Sequence, residues 1–151
     1  MVRTRLATPD DVPVLAGIAR AAYAKYVPRI GVEPPPMVAD FAAEVAAGDT
    51  WVAEDEGAVL GFAVLAAEDD HLLLKNVAVD PSAQGRGVGG ALLGLAERRA
   101  REAGAGEIRL YTNVAMTENI AYYGRRGYVE THREEGEGLR RVFFAKRLGQ
   151  E

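Results

Sequence analysis

The chain of 151 residues has no cysteine, two histidines and a single tryptophan. Without cysteine there is no disulfide, no thiolate nucleophile and no zinc site built on cysteine pairs, and the composition is compatible with the reducing cytoplasm. A basic excess is missing too. Eighteen lysines and arginines stand against 22 aspartates and glutamates, a net charge of −4, whereas nucleic-acid-binding domains carry a clustered basic face. Long apolar runs are also absent: the longest, AVLGFAVLAA, falls well short of the ~20 residues a membrane-spanning helix needs. The opening MVRTRLATPDDVPVL has no continuous apolar core of leader length. Neither nucleic acid nor membrane is therefore expected as a partner. No repeat or low-complexity stretch divides the chain, so residues 1–151 read as one domain.

Hydrophobic residues make up 48% of the sequence and charged ones 26%, ordinary values for a globular domain. A chain of this length buries roughly 70% of its unfolded surface, enough for a core without a disulfide or metal staple. The pattern predicts a strand over 3–7, then a helix over 8–26 with Thr8 as N-cap and Pro9 at its first position. Pro28, Gly31 and the triplet Pro34 to Pro36 then break regular structure, and a second short helix follows over 37–48. Residues 50–80 give three apolar, β-branched runs separated by EDEG and AEDD, the pattern of an antiparallel meander. A helix over 88–103 has Val88, Ala91, Leu92, Leu95 and Ala96 on its apolar side, with Glu97 and Arg101 spaced to pair outside. A strand over 107–113, a short helix over 117–126 capped by Thr117, and two last strands joined by the loop REEGEG complete the chain.

The stretch NVAVDPSAQGRGVGGALL raises the functional question. A strand ending in a glycine-rich turn that feeds a helix gathers unpaired backbone N–H groups and the positive end of the helix dipole at one point, which suits a phosphate. Gly85, Gly87 and Gly89 would let the backbone close on the anion, and Arg86 would add charge. Two patterns fit locally. Gly85, Gly87 and Gly90 match the dinucleotide fingerprint G-x-G-x-x-G, but the strand leaves an antiparallel meander and the next closes on Thr112-Asn113 rather than on a ribose-binding acid. A P-loop is a weaker match still, because no Lys-Ser or Lys-Thr follows the glycines. The other pattern is Gln/Arg-x-x-Gly-x-Gly/Ala, met by Gln84, Gly87 and Gly89.

With that loop, and with MTENIAYYGRRGYVE placing Tyr123 four residues before Gly127 and Tyr128, the chain resembles the GCN5-related N-acetyltransferase (GNAT) family over nearly its whole length. The resemblance implies a mixed α/β fold, with a central, mostly antiparallel sheet of about seven strands flanked by four helices. It also implies transfer of an acetyl group from acetyl-CoA, a cosubstrate used without a metal, to a primary amine on a small molecule or peptide. The cofactor-binding positions would be Val77, Ala78 and Val79 in the strand, Gln84, Gly85, Arg86, Gly87, Val88, Gly89 and Gly90 in the loop and helix start, and Asn119 one turn before Tyr123. Tyr123 would be the general acid that protonates the leaving thiolate, and the N–H of Val77 would face the acetyl oxygen. Tyr23, Tyr26 and Arg29 would line the acceptor site. The resemblance is compatible with a homodimer.

The general base is not legible. Family members often carry a carboxylate in the strand before the loop, where this chain offers Leu73 and Lys75; Glu54 and His71 are the more distant candidates. Tyr122, His71 and His132 read as packing or surface residues, and the carboxylates of REEGEG would favour a cationic amine if they lie at the acceptor mouth. The missing carboxylate keeps open a catalytically silent acyl-CoA sensor of the same fold. The glycine fingerprint keeps open a dinucleotide-binding oxidoreductase.

Overall fold

The computed structural model describes residues 1–149. Seven strands form one sheet in the order β1-β2-β3-β4-β5-β7-β6: β1 (Arg3–Leu6), β2 (Thr50–Asp55), β3 (Ala58–Ala67), β4 (Leu72–Val79), β5 (Glu107–Asn113), β6 (Val129–Gly136) and β7 (Leu139–Arg147). Every neighbouring pair is antiparallel except β4 and β5, which run parallel and are joined through a helix. The helices are α1 (Val12–Tyr23), the single turn α2 (Val27–Ile30), α3 (Phe41–Ala46), α4 (Val88–Glu102) and α5 (Thr117–Arg125). The mixed sheet with four flanking helices agrees with the expected architecture.

Alternation along the strands creates two cores. On one face Ala63, Leu65, Ile108, Leu110, Val142 and Phe144 pack against Leu92, Leu93 and Ala96 of α4 and Tyr123 of α5. On the other Val52, Phe62, Val64 and Ala78 pack against Leu15, Ile18 and Tyr23 of α1 and Phe41 and Val45 of α3. Phe41 and Phe62 meet edge to face at 5.3 Å, a geometry the ring quadrupoles favour.

Local chemistry moves several boundaries. The chain enters α1 through a 3-10 turn at Pro9–Asp11, with Thr8 in the N-cap position. Asp11 fastens this corner: its carboxylate accepts from the Thr8 N–H at 2.7 Å and from both terminal nitrogens of Arg5 in β1 at 2.8 and 3.0 Å. Helical turns continue past Tyr26 to Ile30, because Pro28 stands in the first turn of α2, where its missing N–H costs nothing. The second helix is shorter than its pattern: residues 35–38 form a 3-10 turn, and α3 starts only after Asp40, whose side chain accepts from the Ala43 N–H. Thr117 is the first residue of α5 rather than its cap, a position held by Met116. Glu97 pairs at 3.0 Å with Lys146 of β7 rather than with Arg101. Most of REEGEG is strand: β6 runs to Gly136, and only Glu137 and Gly138 turn, at φ 55° and 77°. Glu56-Gly57 between β2 and β3 makes the same turn at φ 53° and 83°. Two successive left-handed residues are what a tight hairpin demands.

Two irregularities in β4 prepare a site. Pairing with β3 skips Lys75, since Val64 faces Asn76 and Leu65 faces Leu74. This bulge reverses the parity of the strand: Leu72 and Leu74 face α4, but Asn76 joins Ala78 on the α1 side. The second irregularity is that β4 and β5 share only the pairs Leu72–Ile108 and Leu73–Arg109. Beyond them the strands part, and a strand with one unpaired edge lines the opening.

Candidate active site

Two cavities open where β4 and β5 diverge. The larger, about 570 Å³, runs along Val77, Ala78 and Val79 to Gln84, Gly85 and Gly87 to Gly90, with Tyr122, Arg125 and Arg126 of α5 along its side. The smaller, about 240 Å³, lies between the Pro34–Pro36 segment, Glu44 of α3, the bulge of β4, the end of β5 and Arg141 of β7. Tyr23, Val77, Asn119 and Tyr123 line both. A ligand in one cavity therefore meets a ligand in the other at these four residues.

The loop after β4 has a geometry suited to an anion. Asp80 caps the 3-10 turn at Pro81–Ala83, accepting from the Ser82 N–H at 2.9 Å and from its hydroxyl at 2.7 Å. Gly85 and Gly87 then take φ 85° and 83°, a region open to glycine at little cost. Gly87 is the N-cap of α4, and no side chain caps that helix end. The first-turn N–H groups thus face the larger cavity with the helix dipole behind them. Gly89 is closely packed, whereas the atom nearest Gly90 ends a flexible side chain that is free to move. A Cβ on Gly89 would lie 2.9 Å from the Tyr122 hydroxyl, and one on Gly90 would lie 2.5 Å from the Arg126 guanidinium. Arg86 turns away from the cavity and pairs with Asp55 at 2.9 Å.

At the junction Tyr123 is buried, its ring held edge to face against Tyr122 and Tyr128. Its hydroxyl makes no hydrogen bond among the described residues, and the residue lines both cavities. Burial pushes its pKa well above the usual phenol value, with the neighbouring Tyr122 and Tyr26 adding to the shift. Tyr23 is raised further by burial. Its hydroxyl lies 2.8 Å from Oδ1 of Asn76 and 3.1 Å from the Val77 carbonyl, and donates its one proton to either. The Asn76 amide in turn donates to the Pro36 carbonyl at 3.0 Å. Tyr23, the bulge and the proline segment are thus tied together.

Of the residues predicted for the acceptor site, Tyr23 lines the junction, Tyr26 lines the larger cavity, and Arg29 lines neither. Arg29 instead forms a bidentate pair with Glu118 of α5 at 2.7 and 3.1 Å. This guanidinium holds the Glu118 carboxylate far below its ordinary range. Lys75 pairs with Glu44 at 3.1 Å. Glu54 binds Arg5 and His71 lies beside Asp70 at 2.7 Å, both outside the two cavities. Nor do the carboxylates of the β6–β7 hairpin line the smaller one. Sequence reasoning missed Glu44, Arg125, Arg126 and Arg141; Glu44 and Arg141 reach the site from elements distant in sequence, whereas Arg125 and Arg126 stand two and three residues after Tyr123 and their place beside it in the chain was a signal that could have found them.

The described residues hold no helix long and apolar enough to cross a membrane and no cluster of three or more candidate metal ligands. The structure resembles the PaiA N-acetyltransferase from Thermoplasma acidophilum, solved with coenzyme A, at TM-score 0.80 and 15% identity over 98% of this chain and 99% of that one. A GCN5-related N-acetyltransferase from Rhodopseudomonas palustris matches at TM-score 0.76 and 25% identity over 97% and 95%. The protein yncA from Salmonella typhimurium, solved with acetyl-CoA, matches at 0.74 and 21% over 100% and 96%. No curated protein matches the chain by sequence. The model of the acetyltransferase (GNAT) family matches residues 17–128, a span that takes in the glycine loop, Tyr123 and all the junction residues, and the chain belongs to that family.

Proposed function

We propose that the protein transfers an acetyl group from acetyl-CoA to a primary amine. The meeting of the two cavities at Val77 and Tyr123 carries this reading. The pyrophosphate of the cosubstrate lies on the first turn of α4, with Arg125 and Arg126 as the cations beside it. The pantetheine arm runs along β4 like an added strand. The thioester ends at the junction, and the amine enters from the smaller cavity.

Val77 orients the thioester. Its carbonyl is within reach of Tyr23, and N–H and C=O of one residue leave an extended strand by the same edge. Its N–H therefore faces the gap, where it donates to the acetyl oxygen as negative charge develops there. Glu44, a carboxylate lining the smaller cavity, takes the ammonium proton through water. The neutral amine attacks the carbonyl carbon, the C–N bond forms and the C–S bond breaks. Tyr123 gives its proton to the departing thiolate and recovers one from the amide nitrogen through water. Burial raises the phenol pKa, but the same desolvation raises the basicity of a thiolate formed beside it, so acid and leaving group stay matched.

The absence of cysteine simplifies the test, since a thiol-reactive dye reads only released CoA. Tyr123→Phe is expected to bind acetyl-CoA as tightly as the parent in calorimetry while losing about 100-fold or more in kcat, the usual scale of one general acid. Turnover unchanged in Tyr123→Phe would remove the phenol from the mechanism. Binding with no thiol release from any amine would make the protein a silent acyl-CoA sensor. Binding of NAD in place of acetyl-CoA would point back to the dinucleotide reading.

A further inference from the structure

The smaller cavity carries information about the acceptor, on the reading that it receives the amine. Its charged lining is Glu44, Lys75 and Arg141. Glu44 and Lys75 satisfy each other at 3.1 Å. Arg141 has no salt bridge and no hydrogen bond among the described residues. Its guanidinium is held over the Tyr111 ring at 5.6 Å, an arrangement that fixes the plane and leaves the edge donors open. The carboxylate opposite it on β6, Glu134, is turned to His132 at 3.0 Å. The cavity therefore has one unmatched positive charge, on a half-buried fork suited to a planar oxyanion. At about 240 Å³ it is also small, below the ~300–1,000 Å³ of pockets for drug-sized ligands.

We propose that the acceptor is a small amine carrying an oxyanion, an amino acid rather than a polyamine, and that Arg141 binds its carboxylate. The amine then points to the junction, and specificity comes from the distance between amine and acid. The hairpin carboxylates that would have drawn a cationic amine lie outside the cavity.

The test measures CoA release for the twenty amino acids, β-alanine and γ-aminobutyrate. Each is compared with its carboxamide or the matching amine without the acid, and with the aminophosphonate where one exists. At least one acid is expected to exceed its neutral partner by about 10- to 100-fold in kcat/KM, the scale of a charge-assisted hydrogen bond. In Arg141→Gln that preference is expected to collapse through KM, with Arg141→Lys retaining part of it and standing in if the glutamine variant melts early. Phosphonates outpacing carboxylates would place the anion on a phosphoryl group. If acetyl-CoA binds but acids react no faster than amides, or only amines without an acid react, this inference falls and the acetyltransferase reading stands; if nothing reacts, both fall to the silent sensor. If acetyl-CoA does not bind, both fall.

Discussion

Gly87 and Gly124 show how one residue type does opposite work at two helices that border the site. Gly87 holds φ 83° at the head of α4. An alanine there would cost about 1–2 kcal/mol in backbone strain and misdirect the N–H groups of the cradle. Gly87→Ala is therefore expected to lose most acetyl-CoA affinity in calorimetry, and full affinity would contradict the cradle. Gly124 lies in α5, and a Cβ on it would meet nothing within 4 Å. Gly124→Ala removes backbone freedom from the unfolded chain and should raise Tm by about 1–3 °C, given ~0.4–1 kcal/mol in a domain of this size. Equal or lower melting would show that the glycine relieves a strain. Tyr123 makes a third prediction at this scale. Its raised pKa keeps the phenol protonated through the working range, so kcat should not fall between about pH 9 and pH 11, where an ordinary phenol would lose most of its proton. The spacing of Tyr123 to Gly127 was legible in the sequence, and the residue's place in the lining of two cavities was not.

At the scale of elements, contacts across distant segments decide what the local pattern leaves open. Asp11 ties β1 to α1, and Arg5 foremost lowers its pKa to about 2, with the Thr8 N–H also contributing. A depressed carboxylate pKa adds stability above its unfolded value of about 3.9, and that stability is lost as pH falls toward the folded value. Asp11→Asn is thus expected to cost about 1–2 kcal/mol at neutral pH and to narrow the gap to the parent between about pH 4 and pH 2 in acid-melting curves. A gap that persists unchanged at low pH would assign the loss to packing. The bulge at Lys75 is the sharper lesson. Strict alternation predicts Leu73 and Lys75 facing the site; Lys75 does line the smaller cavity and Leu73 does not, and one extra residue shifts the register and brings Asn76 to the same side against Tyr23. No residue type in HLLLKNVAV announces that insertion, because the pairing with β3 creates it. The REEGEG hairpin was missed for a related reason: polar composition reads as loop, although an exposed edge strand needs no apolar face.

For the whole molecule, the parting of β4 and β5 converts a sheet into an enzyme-like cleft. A ligand bound there contacts β4, α4 and α5 at once, so it should stabilise the chain as a unit. At about 100 times its Kd, acetyl-CoA is expected to add ~2.7 kcal/mol and raise Tm by roughly 5–10 °C. A melting point that ignores acetyl-CoA would deny the larger cavity its ligand. By itself the sequence determined the family, the order of strands and helices, the glycine-rich turn before α4 and the spacing of Tyr123 to Gly127. These are written in local spacing, where periodicity, turn residues and caps act between near neighbours. Only the tertiary structure decided the divergence of the two parallel strands, the reversal of parity at Lys75, the withdrawal of Arg86 to Asp55, and the arrival of Glu44 and Arg141 at one cavity. Those depend on which segments pack together, and side chains that meet across the fold leave no mark on their own stretch of sequence.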